Sequence, residues 1–260
     1  MTTTIRISRY SMAFAMQQAD QGGRVRYERY PAKTGISAAA NLRKAFTDSQ
    51  LLSLPSDEAV ILVDAPVSLI PQEEYDEQTA ATLYKAVLPV ADGEEVEASE
   101  VEGLHAVATF ALSRDLKVVV GDHFQRYRFV PVVQPVWNYL YQNHFEGSRR
   151  RLFAYFHDRK VDLVAFRQNR FQFSNTFDAT HCADAVYYLL NTWKQLGLSR
   201  EDDALYIVGG VAYAAELDET LSQYLSNIHK INTTSAAEGR EKPLRTIMPF
   251  DVQALYALQP

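Results

Sequence analysis

Four consecutive polar residues whose side chains could take part in catalysis or binding lie between two apolar stretches of the chain: His157, Asp158, Arg159 and Lys160. A histidine beside a carboxylate can move a proton, and neighbouring basic side chains can bind an anion. The flanking stretches, RRLFAYF and KVDLVAF, are extended apolar runs, so the pattern predicts a β-hairpin whose polar tip leaves the sheet. We therefore expect these residues to form a hairpin tip with a structural or solvated role.

Other residue types add little chemistry. The single cysteine, Cys182, falls in the first turn of a predicted helix and is expected to be a buried structural thiol. The six histidines lack the close pairing of an HExxH zinc motif. The first predicted strand carries Arg6 and Ser8, where a two-metal nuclease of the ribonuclease-H type would need carboxylates. We therefore predict no catalytic residue and no metal site.

Composition and charge restrict the class of protein and its partners. The chain has 260 residues, of which 47% are hydrophobic, as is typical of globular proteins. Its net charge of −6 disfavours nucleic acid as a partner, so only a local anion patch is considered, at Arg149, Arg150 and Arg151. The simpler interpretation of these three arginines is that they are solvated charges at the junction between two halves of the chain. The stretch MTTTIRISRYSMAFAMQQ shows neither a sustained apolar h-region nor a small-residue cleavage site, and no run in the sequence approaches about 18 uninterrupted apolar residues. We predict a cytoplasmic protein that does not span a membrane.

The first part of the chain predicts a strand meander, two helices and a buried strand. IRISRYSMAFAM and RVRYERYPA form three strands, with Gly22 and Gly23 in the second turn. Ser37 is the predicted N-cap of the first helix, and AVILVDA is a strand buried on both faces. YDEQTAATLYKAVL is the second helix, and HAVATFAL is a further strand. The segment from Ala91 to Glu102 holds six carboxylates and is interpreted as a solvated loop.

A second meander follows in the other half of the sequence. RRLFAYF, KVDLVAF and RFQFSNTF are its three predicted strands. The next helix covers THCADAVYYLLNTWKQLGL, with Thr180 as a possible N-cap and Gly197 just past its end. ALYIVGG is then a buried strand, and AELDETLSQYLSNI is a helix.

The order strand, strand, strand, helix, strand, helix therefore occurs twice. It runs from Ile5 to Leu88 and again from Leu152 to Ile228. A meander followed by parallel crossovers gives a mixed sheet with helices on its faces. We predict two similar halves, 1–146 and 147–260.

The doubled order resembles the superfamily that contains actin, sugar kinases and the seventy-kilodalton heat-shock chaperones. More narrowly, three segments resemble a bacterial family known as domain of unknown function 3822: VDAPVSLIPQEEYDEQTAATLY, RFQFSNTFDATHCADAVYYLLNTWKQLGL and ALYIVGG. The resemblance spans nearly the whole chain. It implies an α/β protein with an actin-like ATPase fold, built from two ribonuclease-H-like subdomains with a cleft between them. It implies no activity, because the family has none assigned.

Catalytic members of that superfamily contact phosphate with a hairpin turn in each half and contact adenosine with a Gly-Gly turn late in the second half. Glycine in such turns lets backbone amides approach the phosphate, and aspartate organises magnesium. Here the first turn offers Ser8 and Ser11, with neither glycine nor aspartate, and the second offers Asp158 without glycine. Gly209 and Gly210 match the adenosine turn, although a strand-to-helix turn explains them as well. If a nucleotide site remains, the resemblance implies that Asp158 is its magnesium-side carboxylate.

Two hypotheses from different classes follow. The first is a catalytically inactive cytoplasmic scaffold that uses no cofactor and binds a protein partner or itself, since a complete fold lacks the expected chemistry. The second is a nucleotide-binding ATPase or kinase-like phosphotransferase that binds ATP and magnesium through degenerate loops. A third and weaker hypothesis is RNA binding through Arg149, Arg150 and Arg151.

Overall fold

The computed structural model describes residues 2–17, 25–143, 150–167, 170–231 and 248–257. The predicted turn glycines Gly22 and Gly23, the candidate Arg149 and the predicted boundary between residues 146 and 147 lie outside these ranges. The chain forms two compact units, Met1–Pro135 and Val136–Pro260. Among the described helices, none combines the length and the apolar character needed to cross a membrane.

The first unit is built on a five-stranded mixed sheet. Its strands are β1 (Thr2–Ile7), β2 (Ser11–Gln17), β3 (Val25–Pro31), β4 (Glu58–Val63) and β8 (Arg126–Pro131), in the order β3-β2-β1-β4-β8. The predicted meander β1-β2-β3 is antiparallel, whereas β4 is parallel to both β1 and β8. Strand β4 lies between two strands and is buried along most of its length, as its continuous apolar run predicts.

Two helices cover one face of this sheet. Helix α1 (Ala38–Asp48) begins at the predicted N-cap Ser37, whose side chain accepts a hydrogen bond from the amide of Ala40. Helix α3 (Arg114–Gly121) packs beside α1, and it lies in a segment whose sequence signal is ambiguous. Apolar side chains of both helices and of β1, β2 and β4 form one core.

A three-stranded antiparallel sheet is added to the first unit. It has the order β5-β7-β6, with β5 (Val67–Pro71), β6 (Glu94–Val101) and β7 (Ala106–Ser113), and it contacts helix α2 (Glu77–Val87). The prediction of a solvated loop from Ala91 to Glu102 is therefore wrong for most of that segment, because β6 pairs with the apolar strand β7 along its whole length. Lys117 also neutralises two of its carboxylates, Glu95 and Glu97, at 2.5 and 2.6 Å.

The second unit repeats the order and directions of the first sheet. Its strands are β9 (Arg151–His157), β10 (Lys160–Arg167), β11 (Arg170–Asp178), β12 (Ala204–Gly209) and β13 (Ile228–Ile231), in the order β11-β10-β9-β12-β13. The predicted meander β9-β10-β11 is antiparallel, and β12 is parallel to β9 and β13. Each unit thus contains a mixed sheet flanked by helices.

One face of the second sheet packs on α5 (Cys182–Gln195) and α6 (Ala214–Ser222). The N-cap of α5 is His181 and not Thr180, because the carboxylate of Asp184 reaches back to the amide of His181. At the other end, Gly197, the predicted C-cap glycine, has a positive φ of 59°. The amide of Leu198 bonds the carbonyl of Trp193 at 3.0 Å, which completes a Schellman cap.

The opposite face of the second sheet meets α4 (Val133–Gln142) and α7 (Phe250–Ala257). From α4, Trp137 lies against Phe171 and Tyr141 lies against Phe166, each at 6.4 Å between ring centroids. From α7, Phe250 lies against Tyr155 of β9. This second face is therefore lined by aromatic side chains.

Candidate functional site

The first hairpin tip joins β1 to β2 and brings Ser8 and Ser11 together. The amide of Ser8 donates to the carbonyl of Ser11 at 2.9 Å, and the amide of Ser11 donates to the hydroxyl oxygen of Ser8 at 3.2 Å. The same hydroxyl donates to the carbonyl of Ser11 at 3.0 Å. The backbone amides of Ser8 and Ser11 therefore both form hydrogen bonds that close the turn.

The second hairpin tip is a two-residue turn between β9 and β10. Asp158 and Arg159 have positive φ angles of 43° and 65°, the combination found in a type I′ turn. The carbonyl of Arg159 accepts a hydrogen bond from the amide of Ala179 at 2.8 Å. The hairpin predicted for His157 to Lys160 is thus present, but its turn uses two bulky residues where glycine is usual.

Behind this tip lies a partly buried polar network that the sequence patterns did not reveal. His157 Nε2 lies 2.5 Å from Asp162 Oδ2, and their side chains are 5% and 4% exposed. The hydroxyl of Thr176 donates to Asp162 Oδ1, and His157 Nδ1 lies 3.4 Å from Asp158 Oδ2. The network links all three strands of the meander. Its one sequence signal is Asp162, a charged residue at an inward position of the apolar run KVDLVAF.

The network holds the histidine in place and satisfies its buried polar atoms. Each ring nitrogen of His157 lies near a carboxylate of the same hairpin, Nε2 near Asp162 and Nδ1 near Asp158. The ring of Tyr155 also stacks on His157 at 4.7 Å between centroids. In this arrangement His157 supports the hairpin, because both ring nitrogens are engaged by carboxylates of the same hairpin.

The glycine pair lies at the same end of the second sheet, after β12. Gly209 pairs with Phe156 of β9 and has a φ of 86°. A Cβ atom on Gly209 would lie 2.5 Å from the carbonyl oxygen of Phe156, whereas a Cβ on Gly210 would meet no atom within 4 Å. The strand-end turn therefore requires glycine at the first position only.

The candidate anion patch is in part a structural element. The guanidinium of Arg150 donates to the carbonyl of Gly197 at 2.6 Å and to Asp203 Oδ2 at 2.8 Å, so it caps the end of α5. Its backbone amide donates to Asp203 Oδ1 at 3.0 Å. Arg151 is the half-buried first residue of β9, and Arg149 lies outside the described residues. Among the three arginines, Arg150 therefore forms hydrogen bonds within the protein.

The thiol of Cys182 is buried, as predicted. Burial raises its pKa above the usual range, and the nearby carboxylate of Glu216 raises it further. Because the thiolate is the nucleophilic form, a raised pKa lowers reactivity at neutral pH. Cys182 is therefore suited to packing and unsuited to nucleophilic catalysis.

Comparison with known proteins places the chain in a family. A family model described as protein of unknown function (DUF3822) matches residues 2–228. The chain belongs to this family. No curated protein matches the sequence significantly.

Solved structures agree on the fold. A Bacteroides thetaiotaomicron protein, described as having an actin-like ATPase fold and unknown function, is 21% identical with a TM-score of 0.86, over 99% of this chain and 96% of its own. A structure of the PilM–PilN type IV pilus biogenesis complex is 13% identical with a TM-score of 0.65, over 100% of this chain and 99% of its own. This member of the DUF3822 family therefore has an actin-like ATPase fold, as the sequence resemblance predicted.

The two hairpin tips carry residues that differ from those of a phosphate-binding turn. At the first tip the amides of Ser8 and Ser11 are used within the turn, and the exposed Arg9 and Tyr10 occupy the remaining positions. At the second tip the carboxylate of Asp158 would repel a phosphate that no cation accompanies. Phosphate-binding turns rely on amides that point outwards together, usually with glycine. At the first tip, the amides of Ser8 and Ser11 instead close the turn.

Proposed function

We propose that this chain is a catalytically inactive protein with an actin-like ATPase fold that acts as a cytoplasmic scaffold and binds another protein or a second copy of itself. The observation that carries the proposal is the pairing of Ser8 with Ser11, which uses the amides of the first tip to close the turn. A phosphate at this tip would have to break those bonds before it formed its own. The net gain from such an exchange is small.

The second tip supports the same proposal. A type I′ turn of two residues is as short as a hairpin turn commonly gets, and its bulky side chains crowd the space that a phosphate would need. The network of the buried His157 and Asp162 with Thr176 fixes the hairpin behind the tip. Opening this turn to make a phosphate loop would break the contact between His157 and Asp162, and a buried polar group left without its partner is costly.

A structural relative supports the interaction part of the proposal. PilM, which has the same fold at a TM-score of 0.65, is described in a complex with PilN. A protein-binding role without a described catalytic step is therefore compatible with this fold. The same comparison shows the fold alone. The partner is therefore determined by the surface of this chain and not by the likeness to PilM.

The alternative function is nucleotide binding by degenerate loops. One observation favours it: the carboxylate of Asp158 and the turn at Gly209 lie at the same end of the second sheet, next to Phe156 and His157. Under this alternative, Asp158 would serve a magnesium ion and Gly209 with Gly210 would contact adenosine.

Calorimetric titration with Mg-ATP separates the two functions. We expect no saturable heat, that is, binding weaker than about 1 mM. The matched variants are Asp158→Ala and Asp178→Ala, which remove a carboxylate from the hairpin tip and from the exposed end of β11. Saturable micromolar binding that only Asp158→Ala abolishes would replace the scaffold by the nucleotide-binding alternative.

A further inference from the structure

Strand β11 is an edge of the second sheet, and the part of the chain that the structure describes holds no strand on its outer side. Backbone groups of successive residues in an antiparallel strand point to alternate sides. The amide of Ala179 points inward, where it donates to the carbonyl of Arg159. The amides of Ser174 and Thr176 therefore point outward, and that of Thr176 donates to the exposed side chain of Asn175 at 2.9 Å. This edge thus offers backbone groups with which a further strand can pair.

The side chains around Asn175 read alike in both directions along β11. Phe173 and Phe177 lie two positions away on either side. Ser174 and Thr176 lie one position away, and both carry a hydroxyl group. Two such strands in antiparallel orientation, centred on Asn175, place phenylalanine opposite phenylalanine and serine opposite threonine. The edge is therefore complementary to a second copy of itself.

This centring also pairs the outward backbone groups. Ser174 of one copy faces Thr176 of the other, and such a pair exchanges two backbone hydrogen bonds. Phe173 then faces Phe177 at a non-hydrogen-bonded position, where the side chains of two strands lie closest. Aromatic pairs across strands stabilise a sheet. The side-chain chemistry and the alternation of the backbone thus favour the same register.

An aromatic surface lies beside the same edge. The ring of Phe177 stacks on Tyr188 of α5 at 4.3 Å between centroids, and Tyr188 meets Tyr187 edge-on at 5.2 Å. Tyr187 is 64% exposed. Phe173 lies on the same face of the sheet, because it packs partly buried against the same core as Phe177. The phenylalanines of a second copy would extend this row of rings and remove apolar surface from water.

We propose that β11 pairs antiparallel with β11 of a second copy of this chain, about a two-fold axis that passes through Asn175. The two five-stranded sheets then form one continuous sheet across the interface. On pairing, the side chain of Asn175 releases the amide of Thr176, which donates instead to the carbonyl of Ser174 of the second copy. The inference rests on the proposed scaffold function and names a second copy as the partner.

Sedimentation equilibrium of the full-length protein measures this association. We expect the weight-average mass to rise from that of one chain towards that of two between about 1 µM and about 500 µM, the affinity range of a small interface. Hydrogen exchange of the unchanged protein gives a second measurement. Protection of the amide of Ser174 should rise with concentration over the same range, because this amide is bonded only in the pair.

A charge exchange at the axis identifies the register. Asn175→Lys and Asn175→Asp each place like charges opposite each other, and each should raise the dissociation constant at least about tenfold. An equimolar mixture of the two variants should associate at least as tightly as the unchanged protein, because lysine then faces aspartate. Gln223→Lys, at the exposed C-cap of α6, is the matched control for the added charge and should associate as the unchanged protein does. Circular dichroism melting checks that each variant is folded.

Three results would overturn the inference: a protein that stays monomeric over the whole range, an Asn175→Lys variant that dimerises as the unchanged protein does, or a mixture that associates no better than its components. If a variant proves unfolded, a constant exchange rate at Ser174 over the concentration range counts against the pairing in the same way. These outcomes are independent of the Mg-ATP titration. Absence of the dimer leaves a scaffold for another protein standing, and nucleotide binding removes the scaffold function without changing the sedimentation result.

Discussion

Gly209 shows how one residue can be fixed by the backbone of a neighbouring strand. Its φ of 86° lies in the left-handed region, and its Cβ position is blocked at 2.5 Å by the carbonyl of Phe156. Gly210 follows directly and has open space around it. The two glycines look alike in the sequence, and only the register of β9 against β12 distinguishes them.

We expect Gly209→Ala to lower the free energy of unfolding by about 2 kcal/mol or more, since it combines backbone strain with a steric clash. Gly210→Ala is the matched control and should change the free energy by less than about 1 kcal/mol. Urea denaturation followed by circular dichroism measures both. Equal effects of the two substitutions would contradict the assignment.

The β9–β10 hairpin is the element on which the candidate site depends. Its turn keeps Arg159 at a φ of 65°, which costs a residue with a side chain roughly 1 kcal/mol. The buried bonds of His157 and Asp162 hold the turn in this form. The strain is therefore a property of the whole hairpin and not of its tip alone.

We expect Arg159→Gly to raise the free energy of unfolding by roughly 0.5–1 kcal/mol, because glycine adopts this φ without strain. Arg159→Val should lower it, since a β-branched residue at positive φ is a steric outlier. The hydrogen bond from Ala179 to the carbonyl of residue 159 is unchanged in both variants. Thermal melts that place the valine variant above the glycine variant would exclude a type I′ turn.

Strand β6 is an element that its local sequence does not predict. Its carboxylates resemble those of a solvated loop, yet Val101 is fully buried and the strand is paired along its length with β7. The partner strand and Lys117 lie elsewhere in the sequence. Charge composition alone therefore predicted a loop where the structure has a strand.

The whole molecule consists of two units with the same five-stranded order, each around its own core. Leu42 of α1 and Leu189 of α5 are core residues of the first helix after each meander, at 0% and 1% exposure. The doubled order of elements predicted this repetition. The additional sheet β5-β7-β6 has no counterpart among the described residues of the second unit.

We expect Leu42→Ala and Leu189→Ala each to cost about 2–5 kcal/mol, mainly within the unit that carries the substitution. Hydrogen exchange should show lost protection in β1 and β4 for the first variant, and in β9 and β12 for the second. Leu83→Ala, at an exposed position of α2, is the control and should have little effect. Identical patterns of lost protection in the two core variants would argue against separate cores.

The sequence by itself determined the meanders, the N-cap at Ser37, the C-cap at Gly197, the repeated element order and the family. These features follow from side-chain periodicity and capping chemistry within a few residues of each other. The tertiary structure alone decided that Asp162 and Thr176 support His157, that Phe156 excludes a side chain at Gly209, and that Tyr155 bonds Asp251. Tyr155 and Asp251 are 96 positions apart, so no local pattern could join them. The pairing of strands and the packing of helices bring such residues together, and this is why the chemistry of the site emerged only with the fold.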